Sequence, residues 1–381
     1  MAVLGSWAYS TGLWTVGRSV FRTVSRPSLC SACRYQAKRY LLTEDILKLH
    51  DFQTKKLTTL YQIHGKKDLY FRGLEEKLQK NGIILKDELK TLLHLCQTPA
   101  DVEFAKQVIY RYHEDNKNVI YGDFRFGPVF LRLCYELDLE DTAFAILKDQ
   151  SLGGFFSDCT SYNILMDMLF TKGQYERASE VLVQMRNNKV KFSKETYILA
   201  FAICYKLNNL ESCEICTTLL EEIEMNGGPI PRQAFSFAIA FALKRNEVSK
   251  AKSIFSQIIN TDSKLCNNLN LLINLHDDLV EDALYLLEAA TENIGSRFVK
   301  KPEFLEEVIA LIGKKVQNTE LHARFNLIYT KLQNSQQITT LTLDELLCFT
   351  PHEHKHSLNS MNRKKINHRT FRSLQSSLLL E

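Results

Sequence analysis

Residues 1–43 contain no aspartate or glutamate, in a chain of 381 residues that holds 44 acids and 48 lysines and arginines. The same stretch carries Arg18, Arg22, Arg26, Arg34, Lys38 and Arg39, many serines and threonines, and Leu13, Trp14, Val16, Val20 and Phe21. Arg-rich, Ser-rich and acid-free is the composition of a mitochondrial import leader; arginine interrupts the apolar stretch too often for a secretory signal. Residues 1–43 are expected to be a transit peptide, cut near Arg39–Thr43, that sends the protein to the mitochondrial matrix.

Proline is scarce, with seven in the whole chain, and no Gly/Ser linker divides it. No apolar run approaches the ~20 residues of a membrane span. There is no Gly-rich phosphate loop, nucleophile elbow or His-Glu-x-x-His. The chain therefore offers no catalytic residues, and neither a cofactor nor a small-molecule substrate is expected. Cys213-x-x-Cys216 has no second pair to complete a zinc site. His352, His354 and His356 alternate in a polar tail without a scaffold, so no metal is expected either. The ten cysteines carry a matrix address, where disulfides are not expected, and read as small apolar side chains. Net positive charge is missing from the body: residues 44–350 hold 36 bases and 42 acids. This argues against strong non-specific binding of a polyanion. Residues 351–381 hold six bases and two acids and read as a basic, disordered tail.

What the chain does have is a small residue at regular intervals. Ala105, Ala143, Ala178, Cys213, Ala251 and Ala283 are spaced 38, 35, 35, 38 and 32 residues apart. An apolar residue usually stands three before each and another four after, which puts all three on one helix face. A period near 35 with helices in each copy is the signature of a stacked repeat array. The clearest copy, Thr160–Lys194, has a first helix with Tyr162, Leu165, Met166 and Leu169 inward and Thr160 or Ser161 as its N-cap. Gly173 ends that helix, and a second helix turns Tyr175, Ala178, Leu182 and Met185 inward. The next copy starts at Tyr197, with Asn208 in the place of Gly173. A third starts at Phe235, with Asn246 at the turn. Copies near Pro128–Gln150 and Asn267–Ala290 are weaker, and a half-copy lies at Pro99–Tyr112.

Ser161-Tyr162-Asn163-Ile164-Leu165-Met166, Gly173, Glu176-Arg177-Ala178 and Gln184-Met185 resemble the pentatricopeptide repeat. No copy has the Trp-x-x-Leu-Gly-x-x-Tyr start of a tetratricopeptide repeat. The resemblance implies an all-α fold, a right-handed α-solenoid of about five helix-turn-helix repeats with flanking helices. Its divisions are residues 44–123, a helical region with a degenerate half-repeat; 124–295, the array; and 296–350, a cap of two or three helices.

Such an array is expected to bind single-stranded RNA, one nucleotide per repeat. The resemblance implies a non-enzymatic mitochondrial RNA-binding protein, acting in RNA processing or maturation and so supporting respiratory-chain expression. The base-selecting positions it implies are Asn163 with Ser193 and Ser236 with Ser263. The copy between has Ile198 and Pro231, whose side chains cannot hydrogen-bond a base. Arg186, Lys189, Lys191 and Lys194 are candidates for the RNA backbone. The alternative is a protein-interaction scaffold in a mitochondrial ribosome or RNA-processing complex, because solenoids bind proteins as readily as RNA.

Overall fold

The computed structural model describes residues 41–116, 124–226, 230–292, 301–317 and 319–349. The transit-peptide and tail readings fall outside these residues, save for 41–43. The turns set the architecture. Asp138, Gly173, Asn208, Asn246 and Asp278 all have positive φ, from 49° to 78°. Each stands five residues before a member of the small-residue series. The left-handed conformation costs glycine nothing and is tolerated by Asn and Asp. At four of these turns the next N–H reaches back into the first helix: Leu139 to the Cys134 carbonyl, Gln174 to Leu169, Glu247 to Ala242 and Leu279 to Asn274, each at 2.9 Å. That closure ends one helix and aims the next at a fixed angle.

Among the described residues seven hairpins follow one another. They are α4 Lys86–Leu95 with α5 Pro99–Asp115, α6 Gly127–Glu136 with α7 Glu140–Lys148, and α8 Cys159–Thr171 with α9 Tyr175–Asn187. Then come α10 Lys194–Leu207 with α11 Leu210–Asn226, α12 Arg232–Lys244 with α13 Val248–Ser256, α14 Lys264–His276 with α15 Val280–Glu292, and α16 Glu306–Val316 with α17 His322–Asn334. The first helices α4, α6, α8, α10, α12, α14 and α16 pack each on the next. Before them lie α1 Glu44–Leu47, α2 Leu49–Gln62 and α3 Lys67–Gln79; after them comes α18 Leu343–Leu347. Two short strands, β1 Phe304–Leu305 and β2 Ile338–Thr339, pair in parallel. The hairpin pattern thus completes the half-copy at Pro99–Tyr112 with α4 and extends one unit beyond the last copy legible in the sequence.

The small-residue series marks where two helices cross closely. Ala105, Ala143, Ala178, Ala251 and Ala283 have 0% exposure. Cys213 departs from the series: it is half-buried, and Cys216, one turn on, is the cysteine at 1%. Burial pushes the Cys216 thiol up to about 12, the state of an inert packing group. The N-cap of α8 also differs from expectation. Asp158 accepts the Ser161 N–H at 2.9 Å, so the helix begins earlier than Thr160 or Ser161 would set it. A carboxylate at this position satisfies the free N–H and offsets the positive helix end.

Candidate nucleic-acid interface

The fifth residue of the five central first helices is Leu131, Asn163, Ile198, Ser236 and Asn268. These positions are equivalent in the array, and the residue four further on shares their helix face. Asn163 and Ser193 do come together. The Asn163 amide donates to Ser193 Oγ at 3.1 Å, and its oxygen accepts from Thr196 Oγ1 at 2.8 Å. Asn163 is 3% exposed. Ser193 is half-buried and also N-caps α10, accepting the Thr196 N–H at 3.3 Å. The accessible member of the pair is therefore Ser193, with Asn163 holding it from beneath.

Ser236 and Ser263 are engaged separately. Ser236 is fully buried and donates to its own helix at the Arg232 carbonyl, 3.0 Å away. Ser263 N-caps α14, accepting the Cys266 N–H at 3.1 Å. Both line a cleft of about 510 Å³ that Leu346, Leu347 and Phe349 help to close. In this cleft α18 lies across the first helices. Asp344 pairs with Lys206 of α10, Gln233 of α12 donates to the Leu347 carbonyl at 3.0 Å, and the Leu343 N–H bonds Glu307 of α16. Leu347 is fully buried.

The same face is covered elsewhere by other segments of the chain. Asn268 donates to the Glu303 carbonyl at 3.1 Å and accepts the Leu305 N–H at 2.8 Å, which fastens β1 to α14. At the other end Asp167, one turn after Asn163, accepts the N–H groups of Leu41 and Leu42 at 3.0 and 3.2 Å. Tyr135 of α6 donates to its second oxygen at 2.9 Å. Covering on both sides explains why α8 is buried all round from Ser161 to Phe170, and α12 from Ala234 to Leu243.

Burial raises the Asp167 carboxyl from 3.8 to about 6, although its three hydrogen bonds pull the other way. With the Leu41 nitrogen a neutral amide, the folded chain holds a proton that the unfolded chain has released between about pH 4 and 6. Stability from this group is full below pH 4 and is lost as pH rises through 6. Asp167→Asn should flatten the urea midpoint across that window in the full chain; an unchanged pH profile would show that Asp167 ionises freely.

The basic candidates divide. Arg186 is tied to Glu222 of α11. Lys189, Lys191 and Lys194 are exposed and form no ion pair with a described residue. Lys189 and Lys191 line a cleft of about 550 Å³ with Arg125, Gly153, Gly154 and Ser157. Arg125 is exposed too, and sequence reasoning missed it. Its signal was faint: one arginine beside Phe126-Gly127-Pro128, just before the array. Asp167 was also missed, although a lone acid between Met166 and Met168 on the face of Asn163 was a visible mark. Among the described residues no group of metal-ligating side chains gathers, and no helix is long and apolar enough to cross a membrane.

A family model described as Mitochondrial 28S ribosomal protein S27 matches residues 17–223, more than half of the chain. Pentatricopeptide repeat-containing protein 2, mitochondrial, of Xenopus laevis is 66% identical over 384 residues, covering 100% of both chains. The Mus musculus protein of that name is 53% identical, covering 93% of each chain. The Homo sapiens protein is 51% identical over 93% of this chain and 92% of its own. A crystal structure of the pentatricopeptide repeat protein PPR10 from maize aligns with 78% of this chain and 47% of its own, at 14% identity and a TM-score of 0.32. The protein is therefore mitochondrial and belongs to the pentatricopeptide repeat-containing protein 2 family, within the wider group that the S27 family model describes.

Proposed function

We propose that the protein binds single-stranded mitochondrial RNA without acting on it as an enzyme. It serves transcript processing or maturation and so supports respiratory-chain expression. The observation that carries this reading is the cleft beside α8, where the exposed cations Arg125, Lys189 and Lys191 gather next to the loop that ends at Ser193. Lys194 follows at the start of α10. Cations there hold a phosphate backbone, and the Ser193 hydroxyl, fixed by Asn163, meets a base edge. The short reach of this strip limits contact to a few nucleotides, in keeping with an acidic body.

The triple variant Lys189→Gln, Lys191→Gln, Lys194→Gln is expected to weaken binding equally across RNA sequences. The slope of log affinity against log salt should become shallower by about 0.7 per lost phosphate contact. Crosslinking and sequencing of RNA from mitochondria tests the reading itself, with Asn163→Ala beside wild type. A focused crosslink on one transcript, lost in the variant, supports base selection through Ser193. No crosslink above background rejects RNA binding and favours the scaffold. The scaffold reading has its own support in the self-covered first-helix face and in the ribosomal description of the family model.

A further inference from the structure

Asp167 is fully buried, and its oxygens meet three donors: the N–H groups of Leu41 and Leu42 and the Tyr135 hydroxyl. All three donors are neutral. An asparagine would satisfy the same three groups, since its oxygen accepts the two N–H bonds and its amide donates to a tyrosine oxygen. What the carboxylate adds is charge, and a buried charge without a partner is costly. Among the described residues no cation acts on it. Among the described residues, the hydrogen-bonded atom that a cut of the chain would make positive is the Leu41 nitrogen, 3.0 Å from Oδ1.

Leu41 and Leu42 are each 2% exposed. They directly follow Arg39-Tyr40, and Arg39 is the last base of the acid-free stretch. We infer that import processing cuts the Tyr40–Leu41 bond, and that Asp167 is the buried receptor for the α-ammonium group so formed. The inference rests on reading the N-terminal stretch as an import leader. In the cut, a processing peptidase adds water across the amide. The water oxygen bonds the Tyr40 carbonyl carbon, which departs with the leader as a carboxylate. Both hydrogens of that water end on the Leu41 nitrogen, which becomes an ammonium. The nitrogen already stands at hydrogen-bond distance, so the ion pair forms without rearrangement.

The pair has a structural consequence. It ties the start of the mature chain to α8, one turn from Asn163 on the same face. The uncut precursor has only neutral bonds there and is held more loosely. Removal of the leader thus tightens the central repeat.

Two measurements test this. The N-terminus of protein recovered from mitochondria is expected at Leu41. Second, the chain from Leu41 to Glu381 is made with a free and with an acetylated α-amine; residues from Arg39 onward form one compact unit. The free-amine form should melt about 2–4 °C higher, and Asp167→Asn should abolish the difference while still folding. A mature terminus at any other position between 10 and 60 overturns the inference but leaves the leader reading standing. A terminus at Met1 or Ala2 overturns both. Equal melting of free and acetylated forms overturns the role of Asp167.

Discussion

A chain ending at Thr340 is expected to bind single-stranded RNA about tenfold more tightly than a chain ending at Thr350, a difference of about 1.4 kcal/mol. The cause is the position of α18. It brings Asp344 and Glu345 onto the first-helix face and occupies Lys206 with an ion pair. Acids there repel phosphate, and a paired lysine must release its partner before it can hold one. Removing residues 341–350 frees Lys206, uncovers the cleft at Ser236 and Ser263, and takes away two negative charges. The cost to the fold is modest, because the main loss is burial of Leu347, about 1.5–3 kcal/mol. Removal of 351–381 alone acts in the opposite direction. Those residues carry six bases, and the chain ending at Thr350 should bind more weakly than the full chain, with a shallower salt dependence.

The two truncations together separate the rival functions. An RNA-binding array with a built-in cover predicts a fall in affinity at the first cut and a rise at the second. A scaffold that does not bind RNA predicts no binding in any of the three chains. Equal affinities for the two truncated chains would show that RNA does not approach the face beneath α18. Circular dichroism on each chain confirms that the array remains folded.

The array was legible because its rules are local. A left-handed turn residue and a small residue five positions later act within one hairpin, so Gly173 with Ala178 and Asn246 with Ala251 stand out in a single sequence. The Asn163–Ser193 contact was also foreseeable, because the pentatricopeptide resemblance pairs those two positions. What covers the first helices was not. Leu41 meets Asp167 across 126 residues, and Lys206 meets Asp344 across 138. No periodicity encodes such contacts, because each occurs once. Cys213 shows a subtler limit. The small-residue series marks its place along the chain, but burial goes to Cys216 one turn away. The Asn208 turn differs from its neighbours: its own N–H bonds the Cys204 carbonyl, while the next N–H bonds Ser212 Oγ instead of reaching back into α10.

Gly127→Ala provides the sharpest test of packing between repeats, because the expected sign is opposite to the usual one. Gly127 opens α6, and its φ is outside the left-handed region. Alanine in such a place ordinarily gains about 0.5–1 kcal/mol by restricting the unfolded chain. Here a Cβ would lie 2.3 Å from Ser161 Oγ, 3.0 Å from Phe156 Cδ1 and 3.3 Å from Asp158 Oδ1. The serine cannot simply swing aside. It is fully buried, and its hydroxyl donates to Asp158, the N-cap of α8, at 2.9 Å. Relief of the clash must move α6 from α8 or break the cap. The variant should therefore lose about 1–3 kcal/mol, read as a lower urea midpoint with an unchanged m-value. Ser161→Ala alone should lose about 1 kcal/mol with its hydrogen bond. Combined, the two changes should cost less than their sum by about 1–2 kcal/mol, because the second removes the atom that the first strikes. Simple additivity would show that the close approach of α6 to α8 is not what holds position 127 to glycine.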